Sequence, residues 1–360
     1  YDQLAVHIRN AQKSKRNIHF LPPYRHDNLI RMSEWLSIPS SIVSEMSSLN
    51  LIKAVAAQRS IKDTLEIIEL DKAATITANM HMAAMTYAQP RMKEYEIAAQ
   101  VQMEALRAGS DLSFATILTV NGETLHNHYH GNTIREGQMI LCDAGGETDM
   151  HYAGDMTRTW PVGPTFTTRQ KEIYQIVLDT HEAAVHMLRP GITYKDIYLS
   201  ACKNIFEGLK SLGITSGDTD EAVAAGAHAM FFQCGLGHMI GLDVHDMEDL
   251  GEQYVGYDHE IVKSTQFGMK SLRLGKKLEV GYVLTVEPGI YFIPTLIDLW
   301  RSESRFTEFI NYNKLEEYKD FSGIRVEETF VITEGGYNLL GQPLPKTIKD
   351  IESIRAEATV

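Results

Sequence analysis

The stretch that decides the fold is QMILCDAGGETDMHYAGDMTRTWPV, residues 138–162. Two segments with alternating apolar residues, QMILCDAGG and HYAGDMTRTWPV, flank the turn-like residues ETDM, which is typical of a β-hairpin. Asp143 and Asp155 lie twelve residues apart, symmetrically about Asp149. We therefore predict that they lie opposite each other on one face, about 5 Å apart. Two carboxylates this close would repel each other, and a divalent cation bound between them would relieve the repulsion. Considered singly, each aspartate is better explained as a solvent-facing residue or as a turn cap.

Helix and strand patterns alternate on both sides of this hairpin. Apolar residues at helical spacing predict four long helices, with Ser60 as the N-cap of the first and Gly109 as the C-cap of the second. These helices cover residues 60–88, 92–109, 168–188 and 193–213. Further strands are predicted over residues 114–122, 282–292 and 322–333. The order predicts an α+β fold with two similar halves, each a helix pair on antiparallel strands.

Residues 1–56 have a different pattern. Residues 4–13 and 27–36 are helix-like, and NIHFLPP, residues 17–23, reads as a strand stopped by two prolines. We expect a partial N-terminal α/β domain here, followed by a larger domain over residues 57–360. The chain starts with Tyr1 rather than Met, so we expect a trimmed or processed form.

Composition narrows the class of protein. A net charge of −13 argues against a nucleic-acid partner, which needs clustered Lys and Arg. No apolar run reaches the roughly 18 residues that span a bilayer, and no secretory signal opens the chain, so we expect no membrane association. The three cysteines, Cys142, Cys202 and Cys234, have no metal-binding or disulfide spacing, which favours the reducing cytoplasm.

Two glutamates and two histidines complete the candidate chemistry. Glu287 in LTVEPG and Glu327 in IRVEE each interrupt an apolar, β-branched run, where a buried charge needs a partner or a metal. For Glu327 the alternative is a cross-strand salt bridge. GLGHMIGLDVHD, residues 235–246, holds His238 and His245 among glycines. A histidine in an apolar segment is more often a hydrogen-bonded core residue than a ligand, but the glycines would let the backbone approach a cofactor or substrate.

Together these segments resemble a known family. DAGGETDMHYAGDMTRT, GLGHMIGLDVHD, TVEPGIYF and GIRVEE closely resemble the motifs of the pita-bread metallopeptidases, which include methionine aminopeptidase, aminopeptidase P and prolidase. The resemblance covers roughly residues 57–345, with all five ligand positions present in order. It implies that residues 57–360 form the pita-bread (creatinase/aminopeptidase) catalytic domain.

The resemblance implies a metal site. Two adjacent divalent metals would be bound by Asp143, Asp155, His238, Glu287 and Glu327. One nitrogen among four carboxylates favours Mn(II), with Co, Zn or Fe possible. The pair would hold a bridging hydroxide that attacks the substrate. Glu287 would serve as general base as well as ligand.

Two further histidines would assist catalysis. By the resemblance, His245 contacts the substrate or intermediate as a hydrogen-bond donor. His126, 17 residues before Asp143, matches a histidine that donates to the intermediate or leaving group. For the neighbouring His128 and His130 we prefer a solvated edge.

Glu287 and Glu327 are 40 positions apart, and the long segment between them looks like that of prolidase, the Xaa-Pro dipeptidase. The expected partner is therefore a small peptide with proline in second position. Arg273 matches the arginine that grips the dipeptide carboxylate, although it could be a surface residue of a basic loop. We also expect Tyr291 and Arg325 to bind substrate. Cys234 departs from the family, which often has histidine there.

Alternatives remain open. An Xaa-Pro aminopeptidase acting on longer peptides is the nearest one. A metal-free binding module, or creatinase-like metal-free hydrolysis, would require lost ligands, and all five are present. We also expect a homodimer, as in the family.

Overall fold

The computed structural model describes residues 2–358. Its helices are α1 (Asp2–Lys13), α2 (His26–Leu36), α3 (Ser40–Val43), α4 (Leu49–Ser60), α5 (Thr64–Tyr87), α6 (Glu94–Arg107), α7 (Thr168–His186), α8 (Tyr194–Ser211), α9 (Thr219–Ala225), α10 (Glu252–Val255), α11 (Pro294–Ser302), α12 (Tyr312–Leu315) and α13 (Ile348–Ala358). None of the helices within this range combines the length and apolar character needed to cross a membrane.

The strands are short and antiparallel. They are β1 (Asp111–Leu112), β2 (Ile117–Thr119), β3 (Met139–Ala144), β4 (Gly146–Glu147), β5 (Met156–Pro161), β6 (Val283–Val286), β7 (Gly289–Tyr291), β8 (Gly323–Arg325), β9 (Glu328–Thr333) and β10 (Gly336–Leu339). Two three-stranded sheets have the orders β2-β3-β5 and β10-β9-β6, and the pairs β1-β4 and β7-β8 complete the set.

The molecule has the predicted two halves. Helices α5 and α6 lie together beside the β2-β3-β5 sheet, and α7 and α8 lie together beside the strands β6 to β8. One continuous cluster of buried apolar side chains runs through both halves. The α+β prediction is confirmed, with a helix pair on antiparallel strands in each half.

The hairpin is present, but its predicted register is wrong. Asp143 pairs with Thr157, and Ala144 with Met156. Asp155 precedes the first residue of β5, so it is displaced by two residues from the position opposite Asp143. The extra strand β4 lies within the connection, so the turn is not the simple symmetric one that the spacing about Asp149 indicated. The two aspartates are diagonal rather than opposite neighbours.

Two predicted helix ends also change. Ser60 is the last residue of α4, where its hydroxyl donates to the Ala56 carbonyl, and it does not cap the next helix. The N-cap of α5 is Asp63, whose carboxylate accepts from backbone N–H groups while Glu66 reaches back, forming a capping box. At the end of α6, Gly109 follows the capping residue with a φ of +72°, the left-handed conformation that glycine adopts easily.

The strand predicted for residues 17–23 is wrong: this segment forms neither helix nor strand. Its prolines, Pro22 and Pro23, lack the N–H that a ladder needs. Within residues 2–56 the described elements are helical, so the expected α/β character is not seen there. The domain boundary between residues 56 and 57 stays a prediction, and α4 runs across it.

A shared break in four strands positions the functional side chains. The β6-β9 ladder ends with Val286 opposite Glu328, and the β7-β8 ladder begins with Gly289 opposite Arg325. Both pairings keep the same register. Glu287 and Glu327 therefore lie at corresponding positions in the gap between the two ladders. The backbone N–H of Glu327 instead donates to the Thr157 carbonyl, at 3.1 Å, which joins this gap to the hairpin.

Candidate metal centre

Acidic side chains from both halves meet His238 at the strand break. Ligand atoms of Asp155, His238 and Glu327, all buried, lie within 4.8 Å of one another. His238 Nε2 lies 3.3 Å from Asp155 Oδ2 and 3.7 Å from Glu287 Oε1. Asp143 lies beside this group, where its Oδ2 accepts a hydrogen bond from Arg325. The structure thus brings together all five predicted ligands.

These side chains line one cavity of about 640 Å³. Its wall also includes His126, His245, Arg273 and Arg325. A cavity of this size accommodates a small molecule or a short peptide, and convergent polar groups on its floor are typical of a binding site.

Three carboxylate oxygens in the cluster have no hydrogen-bond partner among the described residues: Asp143 Oδ1, Asp155 Oδ1 and Glu327 Oε1. Buried carboxylate oxygens without partners are costly. An oxygen-rich set with a single imidazole nitrogen suits hard or borderline divalent cations. The donor set therefore fits the divalent metal ions that the resemblance implies.

The electrostatics of the acidic cluster favour binding of a cation. Burial, followed by the nearby Asp143, raises the pKa of Asp155 well above its usual range. Burial together with Asp155 and Glu287 does the same to the pKa of Glu327. Burial raises the pKa of Glu287 to about 7, although His238 and Arg325 oppose it. Without a cation these carboxyl groups resist ionising together, and a bound divalent ion would reverse that.

The tautomer of His238 suits a ligand. Its Nδ1 lies 3.1 Å from the carbonyl oxygen of Met239, which can only accept, so Nδ1 carries the proton. The Nε2 lone pair is then directed at the carboxylates. Burial lowers the pKa of His238, which keeps the ring neutral. A backbone carbonyl that fixes the ring in this way is a common arrangement around metal-binding histidines.

The glycines near His238 pack against protein. A Cβ on Gly237 would collide with the carbonyl oxygen of Thr285 in β6, and one on Gly241 would lie 2.5 Å from Asp246 Oδ2. The expectation that these glycines admit a ligand is therefore incomplete. Gly237 does line the cavity, but its missing side chain is required by the close approach of β6.

His245 lies next to His238, with ring centroids 4.5 Å apart and nearly perpendicular planes, outside the three-residue ligand group. Its Nδ1 lies 2.8 Å from Glu248 Oε2. Because a carboxylate only accepts, Nδ1 carries the proton. Burial, then His238 and Arg273, lower the pKa of His245 to about 2, so the ring is neutral and Nε2 is an acceptor. This geometry is opposite to the predicted donor role.

The three histidines within residues 126–130 have different environments. His126 and His128 both line the cavity, and burial followed by Arg325 lowers the pKa of His126. His128 is exposed, as predicted, yet it belongs to the cavity wall. His130 does not fit a solvated edge, because its Nε2 is buried.

Arg325 and Tyr291 form the support behind Asp143. Arg325 donates to the Tyr291 hydroxyl at 2.9 Å and to Thr157 Oγ1 at 2.9 Å, besides its bond to Asp143. Tyr291 is fully buried and is not part of the cavity wall. Direct substrate contact by Tyr291, as predicted, is therefore not supported; its hydroxyl orients Arg325, which does reach the cavity.

Arg273 lines the cavity as the prediction requires, but its Nη1 donates to Glu248 Oε1 at 2.5 Å and to Glu252 Oε1 at 2.8 Å. It is thus part of the cavity wall and already paired with two carboxylates. Cys234 also lines the cavity, where its thiol lies 3.8 Å from the Tyr291 hydroxyl. Burial raises the pKa of Cys234 to about 12, which keeps the thiol protonated.

Sequence reasoning missed three supporting residues. Thr157 Oγ1 donates to Glu327 Oε2 at 2.7 Å, Glu248 orients His245, and Asp246 anchors the same loop. Thr157 lies two residues after Asp155, so strand alternation could have placed it on the same face. The partners of Asp246 are too distant in sequence for any local pattern to reveal them.

The fold and this donor set define a metallohydrolase class, in which acidic side chains and one histidine collect at the centre of two helix-on-sheet halves. The profile described as Metallopeptidase family M24 matches residues 69–334, and the chain belongs to that family.

Individual relatives agree. Human Xaa-Pro dipeptidase is 33% identical over 320 residues, covering 87% of this chain and 63% of the human protein. A probable Xaa-Pro aminopeptidase of Sordaria macrospora is 34% identical over 309 residues, covering 84% and 63%. Zinc-substituted Escherichia coli aminopeptidase P in complex with product aligns with a TM-score of 0.70 and 34% identity, over 86% of this chain and 62% of that one. The pita-bread fold is thereby confirmed, and the chain spans about 63% of the length of these curated relatives.

Proposed function

We propose that this chain hydrolyses the bond between a first residue and a following proline in short peptides, and dipeptides above all. The observation that carries the proposal is the convergence of five acidic and imidazole side chains, with three unpartnered carboxylate oxygens, on the floor of one cavity. The names of the relatives, Xaa-Pro dipeptidase and Xaa-Pro aminopeptidase, supply the substrate class.

The metal set is proposed to be two Mn(II) ions held by Asp143, Asp155, His238, Glu287 and Glu327. When bound, such ions supply a water of lowered pKa and polarise the scissile carbonyl. The chain's own contribution is the fixed donor geometry: Thr157 holds one oxygen of Glu327, Arg325 holds one oxygen of Asp143, and the Met239 carbonyl fixes His238.

Proton transfer falls to Glu287. Its carboxylate lies on the cavity wall beside the other predicted ligands, where it can take a proton from the attacking water and return it to the proline nitrogen that leaves. His245 accepts a hydrogen bond from a substrate N–H through Nε2. His126, which also lines the cavity, donates to the oxygen on which negative charge develops.

Arg273 is the proposed determinant of dipeptide preference, because a guanidinium on the cavity wall can pair with a free carboxylate. One observation favours the second candidate, an Xaa-Pro aminopeptidase. Glu248 and Glu252 already occupy Arg273, so a substrate carboxylate has to compete with two like charges. A longer peptide, with an amide at that point, avoids the competition.

The test is hydrolysis of Ala-Pro and Ala-Pro-Ala by the Mn(II)-loaded protein and by Arg273→Ala. The proposal predicts faster cleavage of Ala-Pro, and a rise in KM for Ala-Pro alone in the variant. The matched control is Lys277→Ala, which removes a cation of the same segment that pairs with Glu260 and does not line the cavity. Faster cleavage of Ala-Pro-Ala, unaffected by Arg273→Ala, would assign the aminopeptidase activity instead.

Cleavage of neither peptide, together with no retained metal after incubation with Mn(II), would favour a metal-free binding module. The choice among Mn, Co, Zn and Fe is tested by reloading the chelator-treated protein with each. The cytoplasmic location and the homodimer stay predictions, the latter open to light scattering.

A further inference from the structure

The end of helix α4 reaches into the loop that carries His245. Arg59 Nη2 lies 2.6 Å from Asp246 Oδ1, and Lys62 Nζ lies 2.7 Å from Asp246 Oδ2. Both oxygens of one carboxylate are therefore held by cations that precede it by more than 180 residues. The side chains of Lys62 and Asp246 are each only 1% exposed. A buried pair of this kind is sensitive to removal of either member, since the other charge is then unpaired.

The loop depends on this carboxylate for its shape. Residues 239–246 form neither helix nor extended ladder. The Asp246 N–H donates to the Met239 carbonyl at 2.9 Å, which closes the loop on itself. Its side chain packs so tightly over Gly241 that a Cβ there would lie 2.5 Å from Oδ2. Because His245 directly precedes Asp246, the position of the carboxylate determines where the His245 backbone lies.

Lys62 makes two further contacts. Lys62 Nζ also donates to the Arg59 carbonyl at 2.9 Å, which turns the chain at the end of α4. The Lys62 backbone N–H donates to the Gly281 carbonyl at 2.8 Å, just before β6, the strand that leads to Glu287. One turn thus contacts both the His245 loop and the approach to the glutamate at the strand break.

We propose that Arg59 and Lys62 are positioning residues, which set the His245 imidazole at the cavity wall through Asp246. The proposal rests on the proposed function insofar as it assigns His245 to the substrate. Both cations lie before residue 69, outside the part of the chain that the family profile matches. Helix α4 accordingly belongs to the catalytic unit, although the sequence places most of it in the preceding domain.

The experiment is a double-mutant cycle between Lys62→Met and His245→Ala, with Ala-Pro as substrate and Mn(II) as metal. Lys62→Met lowers kcat by about 10- to 100-fold, as expected when a group at the reacting centre is displaced. Bound Mn(II), measured by mass spectrometry, is unchanged. In the His245→Ala background the same substitution produces no further fall, because the residue that it positions is gone. The control Lys72→Met, in an exposed pair with Glu69, changes kcat less than twofold.

Additive losses in the cycle, or loss of Mn(II) in Lys62→Met, would overturn the proposal, since both indicate general structural damage. If Lys62→Met does not fold, Arg59→Gln replaces it: Arg59 is 26% exposed, and its removal leaves Lys62 paired with Asp246. The same pattern with a smaller fall is then expected.

A second readout separates this proposal from the proposed function. In the Zn(II)-loaded, ¹⁵N-histidine-labelled protein, Lys62→Met shifts the ring resonances of His245 and leaves those of the buried His81 in place. Failure of the wild-type protein to cleave Xaa-Pro peptides would remove the proposed function only. Unchanged His245 resonances would overturn the positioning role whether or not the protein is active.

Discussion

Glu327, the residue just before β9, and Glu328, the first residue of β9, are both buried, but their electrostatic environments are opposite. Their exposed fractions are 2% and 3%. Burial, Asp155 and Glu287 raise the pKa of Glu327 well above its usual range. Burial alone would also raise that of Glu328, but Arg158, His181 and Lys346 lower the pKa to about 2. The side chains point to opposite faces, so the two environments are independent.

The two glutamates differ in the source of the positive charge that balances each carboxylate. Glu328 Oε1 lies 2.6 Å from Arg158 Nη2, and its Oε2 lies 2.8 Å from Lys346 Nζ. Glu327 receives only the Thr157 hydroxyl on one oxygen, and the other has no partner among residues 2–358. Glu328 is thus neutralised by the chain itself, whereas Glu327 requires a cation from outside. Buried acids of the first kind stabilise a fold, and those of the second kind form a site.

The largest expected effect is on activity. Glu327→Gln removes a ligand charge, so hydrolysis of Ala-Pro should fall by about 10³-fold or more, together with loss of bound Mn(II). Glu328→Gln is the matched control, with the same chemical change one residue away; its folded fraction should retain Mn(II). Equal loss of Mn(II) in both variants would contradict the claim that Glu327, and not Glu328, binds the metal.

For folding stability we expect the reverse: Glu328→Gln should be more harmful than Glu327→Gln. Glu328→Gln leaves Arg158 buried beside a neutral amide, and we expect the free energy of unfolding to fall by about 3–5 kcal/mol. In the metal-free protein, Glu327→Gln should leave that free energy unchanged or raise it, because the carboxylates no longer repel. Urea unfolding of the metal-free variants measures both. Comparable destabilisation by the two substitutions would contradict this account.

The two environments predict opposite pH responses of the metal-free protein. Glu287, with a pKa of about 7, binds its proton more tightly in the folded than in the unfolded state, as does Glu327. Their contribution therefore falls as pH rises from about 4.5 to 7, by at least ~1 kcal/mol. The contribution of Glu328, whose pKa is lowered to about 2, is lost instead as pH falls from about 4.5 towards 2.

Urea titrations at pH 5 and pH 7.5, with and without Mn(II), check these signs. The metal-free protein should be less stable at pH 7.5 than at pH 5. The Mn(II)-bound protein should show the opposite trend, because metal binding requires deprotonated ligands. Stability of the metal-free form that rises over this interval would mean that the acidic cluster is already neutralised by the chain.

The smallest effect is expected at a neutral group on the same cavity wall. Cys234 has a pKa raised by burial to about 12, and its thiol makes only a long contact to Tyr291. Cys234→Ser should change kcat less than threefold, and alkylation by iodoacetamide at pH 7.5 should be slow. Rapid alkylation with loss of activity would contradict a buried, protonated thiol at Cys234.

Features that depend on residues close together in sequence could be predicted, whereas features that depend on distant residues could not. The long helices and the order Asp143, Asp155, His238, Glu287, Glu327 follow from local pattern and from resemblance to known motifs. The hairpin register could not be obtained, because β4 interrupts a turn whose symmetry about Asp149 was only numerical.

Other features were hidden for physical reasons. The Nδ1–H of His245 is assigned by Glu248, whose position depends on a short turn that no periodicity marks. The residues of NIHFLPP have strand-like composition, but no neighbouring strand pairs with them. The contacts of Asp246 with Arg59 and Lys62 arise only when α4 docks on the loop, so they are a property of the folded molecule.

Calorimetric titration of Mn(II) into the chelator-treated protein at pH 7.5 tests most directly whether Glu327 and its neighbours bind a divalent cation. The account predicts saturable binding with release of protons, a higher unfolding temperature on saturation, and loss of both in Glu327→Gln but not in folded Glu328→Gln. Absence of saturable binding by the wild-type protein would contradict it.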